Sequence, residues 1–155
     1  YLLMQKQYNR GQDGAGLGVI KFDMPAGDQF LLRIRSDKHN AIERIFDAIT
    51  EDTQRLCEPI SAETEMDAKR FCRFLGEAYL GHLRYGTHSG NSMAMCHPFV
   101  RKSNVASRNI ALAGNFNMTN SSELFTNLVG YGLDPVGDND TQVILEKISH
   151  FLNNE

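Results

Sequence analysis

The 155-residue chain contains no tryptophan, only four prolines and three cysteines, and no excess of positive charge. Each shortage removes a class of function. A formal net charge of −3 offers no electrostatic reason to bind nucleic acid or a membrane surface. No apolar run approaches the ~20 residues of a membrane span. Cys57, Cys72 and Cys96 are odd in number and lack CxxC spacing, which argues against a disulfide framework or a structural zinc site. Free thiols in a reducing, cytoplasmic compartment are the expectation. The glycines of Arg10-Gly11-Gln12-Asp13-Gly14-Ala15-Gly16-Leu17-Gly18 are not followed by GK[ST] and follow no strand, so a phosphate-cradling loop is disfavoured. Internal repeats and low-complexity tracts are lacking too.

What remains is an ordinary core-forming composition, 41% hydrophobic and 23% charged, of a length that suits one domain. The chain opens at Tyr1 without an initiating methionine and closes on Asn153-Asn154-Glu155, so both ends read as cuts in a longer protein. Tyr1 to Gln7 reads as the tail of a helix. Gly16 to Phe22 and Gln29 to Arg35 read as strands joined through the turn cluster Met24-Pro25-Ala26-Gly27-Asp28. Ile42, Ile45, Phe46 and Ile49 recur at i, i+3, i+4 and i+7, one apolar helix face. Cys57 to Thr64 reads as a loop, followed by a helix with Ala68, Phe71, Cys72 and Leu75 inward. Tyr79 to Tyr85 and Asn109 to Asn115 read as strands. Asn120-Ser121-Ser122-Glu123 has the form of a capping box opening a helix. A last helix starts near Asp138-Asn139-Asp140 and is expected to bury Ile144, Ile148, Phe151 and Leu152. Neighbouring strands joined by turns, with helices grouped around them, imply α+β layers with antiparallel pairing.

The most informative stretch is Gly81-His82-Leu83-Arg84-Tyr85-Gly86-Thr87-His88-Ser89-Gly90. It reads as a strand delivering Arg84 to its end, where the planar guanidinium can clasp a carboxylate bidentately and Thr87 adds a neutral donor. An ordinary surface or ion-pair arginine is the competing reading. His82, His88 and His97 match no standard zinc spacing and have no carboxylate cluster in sequence, so no metal is assigned. Cys96 precedes His97, but adjacent residues on an extended segment point to opposite faces, so no Cys-His nucleophile pair is assigned. In Ala113-Gly114-Asn115-Phe116-Asn117, an asparagine amide leaving a strand can donate to a developing oxyanion beside a backbone N–H. In Asp138-Asn139-Asp140-Thr141, simple helix N-capping competes with a binding role.

These four stretches resemble motifs of the class II glutamine amidotransferases. Arg10 to Gly16 is similar to the RGQ(D/E)xAG signature, and Gly81 to Gly90 to the GHxRYxT segment, whose arginine clasps the α-carboxylate of glutamine. His97-Pro98-Phe99 is similar to the HPF step that supports the pocket wall. Asn115, Asn117 and Asn120 align with the HNGNxxN oxyanion motif, although Gly114 replaces its histidine and Phe116 its glycine. Asp140 falls on the aspartate that binds the α-amino group. The motifs keep family order over residues 7 to 145. QYNRGQDGAG and HPF are most similar to the amidophosphoribosyltransferase branch.

The resemblance implies an Ntn-hydrolase four-layer α/β/β/α sandwich with two antiparallel sheets, truncated at both ends, with residues 1–155 forming a partial glutaminase domain. It implies catalytic roles for the Asn115 amide and the Phe116 backbone N–H. Arg84, Thr87, His88 and Asp140 would bind substrate, supported by Arg10, Tyr85 and His97. It implies an N-terminal nucleophilic cysteine outside these residues. Glutamine would be the substrate. Ammonia would pass to a missing phosphoribosyltransferase domain that uses phosphoribosyl pyrophosphate and Mg2+, in a homo-oligomer. No cofactor, nucleic acid or membrane is expected for this domain. The rival is a glutamine-binding or regulatory Ntn-like domain without activity.

Overall fold

The computed structural model describes residues 1–56, 64–86 and 92–154. They form two compact units, Tyr1–Pro98 and Phe99–Glu155. Together these hold two antiparallel sheets and five α-helices, an α+β architecture of the kind the sequence implies.

In the first unit β1 (Gly14–Ile20) is the central strand, flanked by β2 (Leu31–Ser36) and β3 (Ala78–Arg84), both antiparallel to it. The β1–β2 connection turns where expected, with the Asp28 N–H donating to the Pro25 carbonyl at 3.0 Å and Gly27 at φ +93°. The pleat sorts β1 into two faces. Ala15, Leu17 and Val19 point into a core with Met4, Ala41, Ile42 and Ile45, supplied by α1 (Leu2–Lys6) and α2 (Ala41–Leu56). The opposite face of β1 is Gly14, Gly16 and Gly18. Their cross-strand neighbours there are Arg35 and His82 beside Gly16, and Arg33 and Leu80 beside Gly18.

That bare glycine stripe is a bed for Cys96–Pro98. A Cβ on Gly14 would lie 2.7 Å from the Cys96 sulfur, and one on Gly18 3.1 Å from Pro98 Cγ. A Cβ on Gly16 would fall onto the His97 carbonyl oxygen. Arg35 Nη1 donates to the Cys96 carbonyl at 2.8 Å and Arg33 Nη1 to the Pro98 carbonyl at 3.1 Å, strapping the segment down. The His97–Pro98 peptide is cis.

The helix α3 (Glu65–Phe71) is capped by Thr64, whose hydroxyl accepts from the Asp67 N–H at 3.1 Å. Its inward face differs from the expected one. Phe71 and Leu75 are exposed, and the buried residue is Lys69. Its Nζ donates to Glu77 Oε1 at 2.7 Å and to the Phe22 carbonyl at 2.8 Å, so the charge is satisfied while the aliphatic stem is covered. The thiol expectation also fails at Cys72, which is disulfide-bonded, and holds at Cys96. Cys57 and the loop it begins lie outside the described residues, apart from Thr64.

In the second unit the hairpin of β4 (Phe99–Arg101) and β5 (Ile110–Leu112) packs with α4 (Ser121–Gly130) and α5 (Asp140–Asn154). β5 is shorter than read from sequence at both ends, and at its start Asn109 serves the hairpin loop. Its Oδ1 accepts from the Ser103 N–H, and its Nδ2 reaches the Ser103, Val105 and Ala106 carbonyls. Asn120 occupies the N-cap position of α4 without a side-chain capping bond, so the capping box is not formed. The same helix ends in a Schellman turn on Gly132 at φ +80°, with the Leu133 N–H donating to the Leu128 carbonyl at 3.1 Å. The buried residues of α5 are Thr141, Gln142, Val143, Leu145, Glu146 and Ser149. Ile148, Phe151 and Leu152 are exposed, contrary to the apolar reading. Buried Glu146 is paired with Gln142 Nε2 at 2.8 Å and Arg101 at 3.4 Å, which lets a carboxylate take a core position.

Candidate functional site

Arg84 is the last residue of β3 and is buried. Its backbone is held from below by the loop Gly11–Gly14. The Asp13 N–H donates to the Arg84 carbonyl at 3.0 Å, and Asp13 Oδ2 accepts from the Gly86 N–H at 2.7 Å. Gly11 lies so close to the Arg84 carbonyl that a Cβ there would overlap it. The glycine-rich signature is therefore a support for the arginine strand. Arg10 itself is exposed in a 3-10 turn over Tyr8–Arg10, and Tyr85 is exposed beyond the strand end. Thr87 and His88 lie outside the described residues.

His82 precedes Arg84 by two positions and so shares its face. His97 Nδ1 lies 3.1 Å from His82 Nε2, with the ring centroids 4.2 Å apart. Burial is the main cause that holds His97 down to about 4, aided by His82, Arg84 and Arg35. Burial also lowers His82. Both imidazoles are neutral at pH 7, so one nitrogen of the contact donates and the other accepts. The sequence reading assigned His97 to the wall without finding its partner. The i, i+2 relation of His82 to Arg84 was the available signal. Cys96 is fully buried, its sulfur 3.6 Å from the Ser36 carbonyl oxygen, and burial pushes the thiol up despite the nearby Arg84 and Arg35. A buried neutral thiol is a poor nucleophile.

The second unit carries the other candidates. β5 ends at Leu112, and Asn115 and Phe116 follow it as exposed residues. The ring of Phe116 folds back over Gly114, where an added Cβ would lie 2.5 Å from Phe116 Cζ. The two departures from the asparagine motif thus complement each other in space. Among the described non-glycine residues only Asp23 and Asn40 have positive φ, so Phe116 lies in an ordinary backbone region. Capping of α5 falls to Asn139, whose Oδ1 accepts from the Gln142 N–H at 3.0 Å. Asp140 is consequently not the cap. Its Oδ2 accepts from the Met118 N–H at 2.8 Å, tying the segment after Asn115 to the start of α5. Among the described residues no three His, Cys, Asp or Glu side chains gather as a metal site, and no helix is long and apolar enough to cross a membrane.

No protein-family model matches the chain. It is 36% identical over 76 residues to glutamine–fructose-6-phosphate aminotransferase (isomerizing) of Corynebacterium diphtheriae, covering 49% of this chain and 12% of that protein. It is 38% identical over 77 residues to amidophosphoribosyltransferase of Archaeoglobus fulgidus, covering 50% and 16%. With the amidophosphoribosyltransferase of Methanocaldococcus jannaschii it shares 39% identity over 67 residues, covering 43% and 14%. The chain therefore spans less than a fifth of each of these relatives. In fold it is similar to the glutamine phosphoribosylpyrophosphate (PRPP) amidotransferase of B. subtilis complexed with ADP and GMP. The TM-score is 0.59 and the sequence identity 21%, over 92% of this chain and 24% of that one. In sequence over about half its length, and in fold over most of it, the chain is similar to the Ntn-type, class II glutamine amidotransferases.

Proposed function

We propose that this chain is the glutaminase part of a class II glutamine amidotransferase that supplies ammonia for phosphoribosylamine synthesis from phosphoribosyl pyrophosphate, in cytoplasmic purine biosynthesis. The observation that carries the reading is buried Arg84 at the end of β3, braced through Asp13 and Gly11 by the other family signature. A cation fixed in this way suits the α-carboxylate of a free amino acid. Asp140 takes the α-amino group, and Thr87 and His88 keep the substrate-binding roles that the resemblance implies.

In this reading the nucleophile is an N-terminal cysteine of the polypeptide outside these residues. Its thiol adds to the glutamine side-chain carbonyl carbon and passes its proton to the cysteine's own α-amino group. The Asn115 amide and the Phe116 N–H donate to the oxyanion. On collapse the amide nitrogen takes up that proton and leaves as ammonia, and water hydrolyses the thioester to glutamate. The synthase domain of the same polypeptide consumes the ammonia. Mg2+ belongs with the phosphoribosyl pyrophosphate there, and no residue of this chain is assigned to it. Assembly into a homo-oligomer is part of the same proposal.

The second reading, a glutamine-binding domain without activity, is favoured by one observation, the Phe116 ring standing over Gly114 at the oxyanion segment. Arg84→Lys in the complete polypeptide separates the cases. Losing the bidentate fork should weaken glutamine-dependent turnover by about 2–3 kcal/mol, while ammonia-dependent synthesis survives. Equal loss of both activities would contradict the assignment of Arg84. Glutamine binding without any glutamine-dependent turnover in the unmodified polypeptide would favour the second reading.

A further inference from the structure

The β1–β3 ladder ends at the pair Gly14–Arg84, so sheet pairing does not hold the backbone beyond Arg84. Asp13 takes over there. Its N–H binds the Arg84 carbonyl and its carboxylate binds the Gly86 N–H, across 73 positions of sequence. The second bond is charge-assisted, on an amide two residues beyond Arg84. Gly11 completes the grip. Its backbone is extended, at φ −178° and ψ 126°, and a Cβ would lie 2.8 Å from the Leu83 carbonyl carbon and overlap the Arg84 carbonyl. Two features of one loop thus converge on Arg84, Gly11 reaching back to Leu83 and Asp13 forward to Gly86.

We infer that Asp13 is a positioning residue for substrate carboxylate recognition: it fixes the backbone from Arg84 to Gly86 so that the guanidinium meets the carboxylate in one geometry. The substrate part of this inference rests on the proposed glutaminase function; the grip on Gly86 does not. A residue acting only on general stability would change folding without changing the affinity for one substrate selectively.

Amide hydrogen exchange in the full chain reads the grip directly. Asp13→Ala should lower protection of the Gly86 amide about tenfold, the loss of one charge-assisted hydrogen bond, while the amides of β1 keep theirs. Asp13→Asn should retain most of the protection, because its amide oxygen still accepts. In the complete polypeptide, Asp13→Ala should raise the glutamine KM about tenfold with kcat within about twofold and ammonia-dependent synthesis unchanged. If Asp13→Ala does not fold, Asp13→Asn carries the test with a rise in KM of about threefold. Unchanged Gly86 protection, protection lost equally along β1, or an unchanged glutamine KM would each overturn the inference. Failure of the unmodified polypeptide to hydrolyse glutamine would instead remove the glutaminase reading, and the Gly86 measurement would still decide whether Asp13 holds the backbone beyond Arg84.

Discussion

At Gly114 and Gly16 the same substitution to alanine should have very different consequences, because different atoms stand in the way. The obstacle at Gly114 is the edge of the Phe116 ring, at 2.5 Å, on a residue that is 37% exposed and can swing outward. Gly114→Ala should therefore cost less than about 1 kcal/mol, within the range of an exposed substitution with minor repacking. Adding it to Phe116→Gly should cost less still, since the ring is gone. A urea-unfolding cycle over the four proteins checks this, and equal costs in both backgrounds would show that the ring and the glycine are not coupled. The imidazole pair makes a second residue-level prediction. His97 is held down to about 4 in the folded chain against an ordinary 6.5. Between those values the unfolded chain binds a proton that the folded chain refuses. Its contribution to stability is full above about pH 6.5 and declines as the pH falls toward 4. His82 shifts in the same direction. Unfolding midpoints at pH 7 and pH 5 should therefore differ less in His97→Gln than in the unmodified chain. An identical difference would place the pH dependence elsewhere.

Individual elements show what was legible in the sequence and why. The core face of α2 follows from an apolar repeat at 42, 45, 46 and 49, and the structure buries Ile42 and Ile45 and packs Phe46 and Ile49 against the core. The face of α5 did not follow, since Thr141, Gln142, Glu146 and Ser149 take the inner positions and apolar periodicity selects the neighbouring stripe. Only the pairing of Glu146 with Arg101 and Gln142 makes that choice affordable, and such tertiary partners have no local signal. Lys69 in α3 defeats the pattern for the same reason. The glycine run leading into β1 was legible as a motif, while its neighbour, the Cys96–Pro98 strap, became visible only in the fold. Their rigidity gives the prediction for this scale. At Gly16 the obstacle is the His97 carbonyl, a backbone atom held by the Arg35 and Arg33 bonds on either side of it. Gly16→Ala should cost about 3 kcal/mol or more, the upper range of overpacking. Urea unfolding measures it, and a cost near that of Gly114→Ala would mean that the strap is loosely held.

For the whole molecule, the proposed glutaminase chemistry turns on which of its parts these residues would supply. Arg84 with its support lies in the first unit, while Asn115, Phe116 and Asp140 lie in the second. In the proposed reading, Arg84 and Asp140 bind the amino acid and Asn115 and Phe116 stabilise the oxyanion. A thiolate with an adjacent base is a different requirement. Cys96 is fully buried beneath its own strap, with its thiol pushed up, and Cys72 is committed to a disulfide. Oxyanion stabilisation and positioning cannot form a thioester without a nucleophile. The 155-residue chain should accordingly release ammonia from glutamine only at the background rate, and an extended polypeptide that begins with the nucleophilic cysteine should recover turnover. Ammonia release measured for the chain, for Cys96→Ala and for the extended polypeptide decides the matter. Robust turnover by the chain that disappears in Cys96→Ala would make Cys96 the nucleophile, despite its burial. An extended, correctly processed polypeptide that binds glutamine and stays inactive would establish the second reading, with Arg84 and Asp140 serving recognition alone.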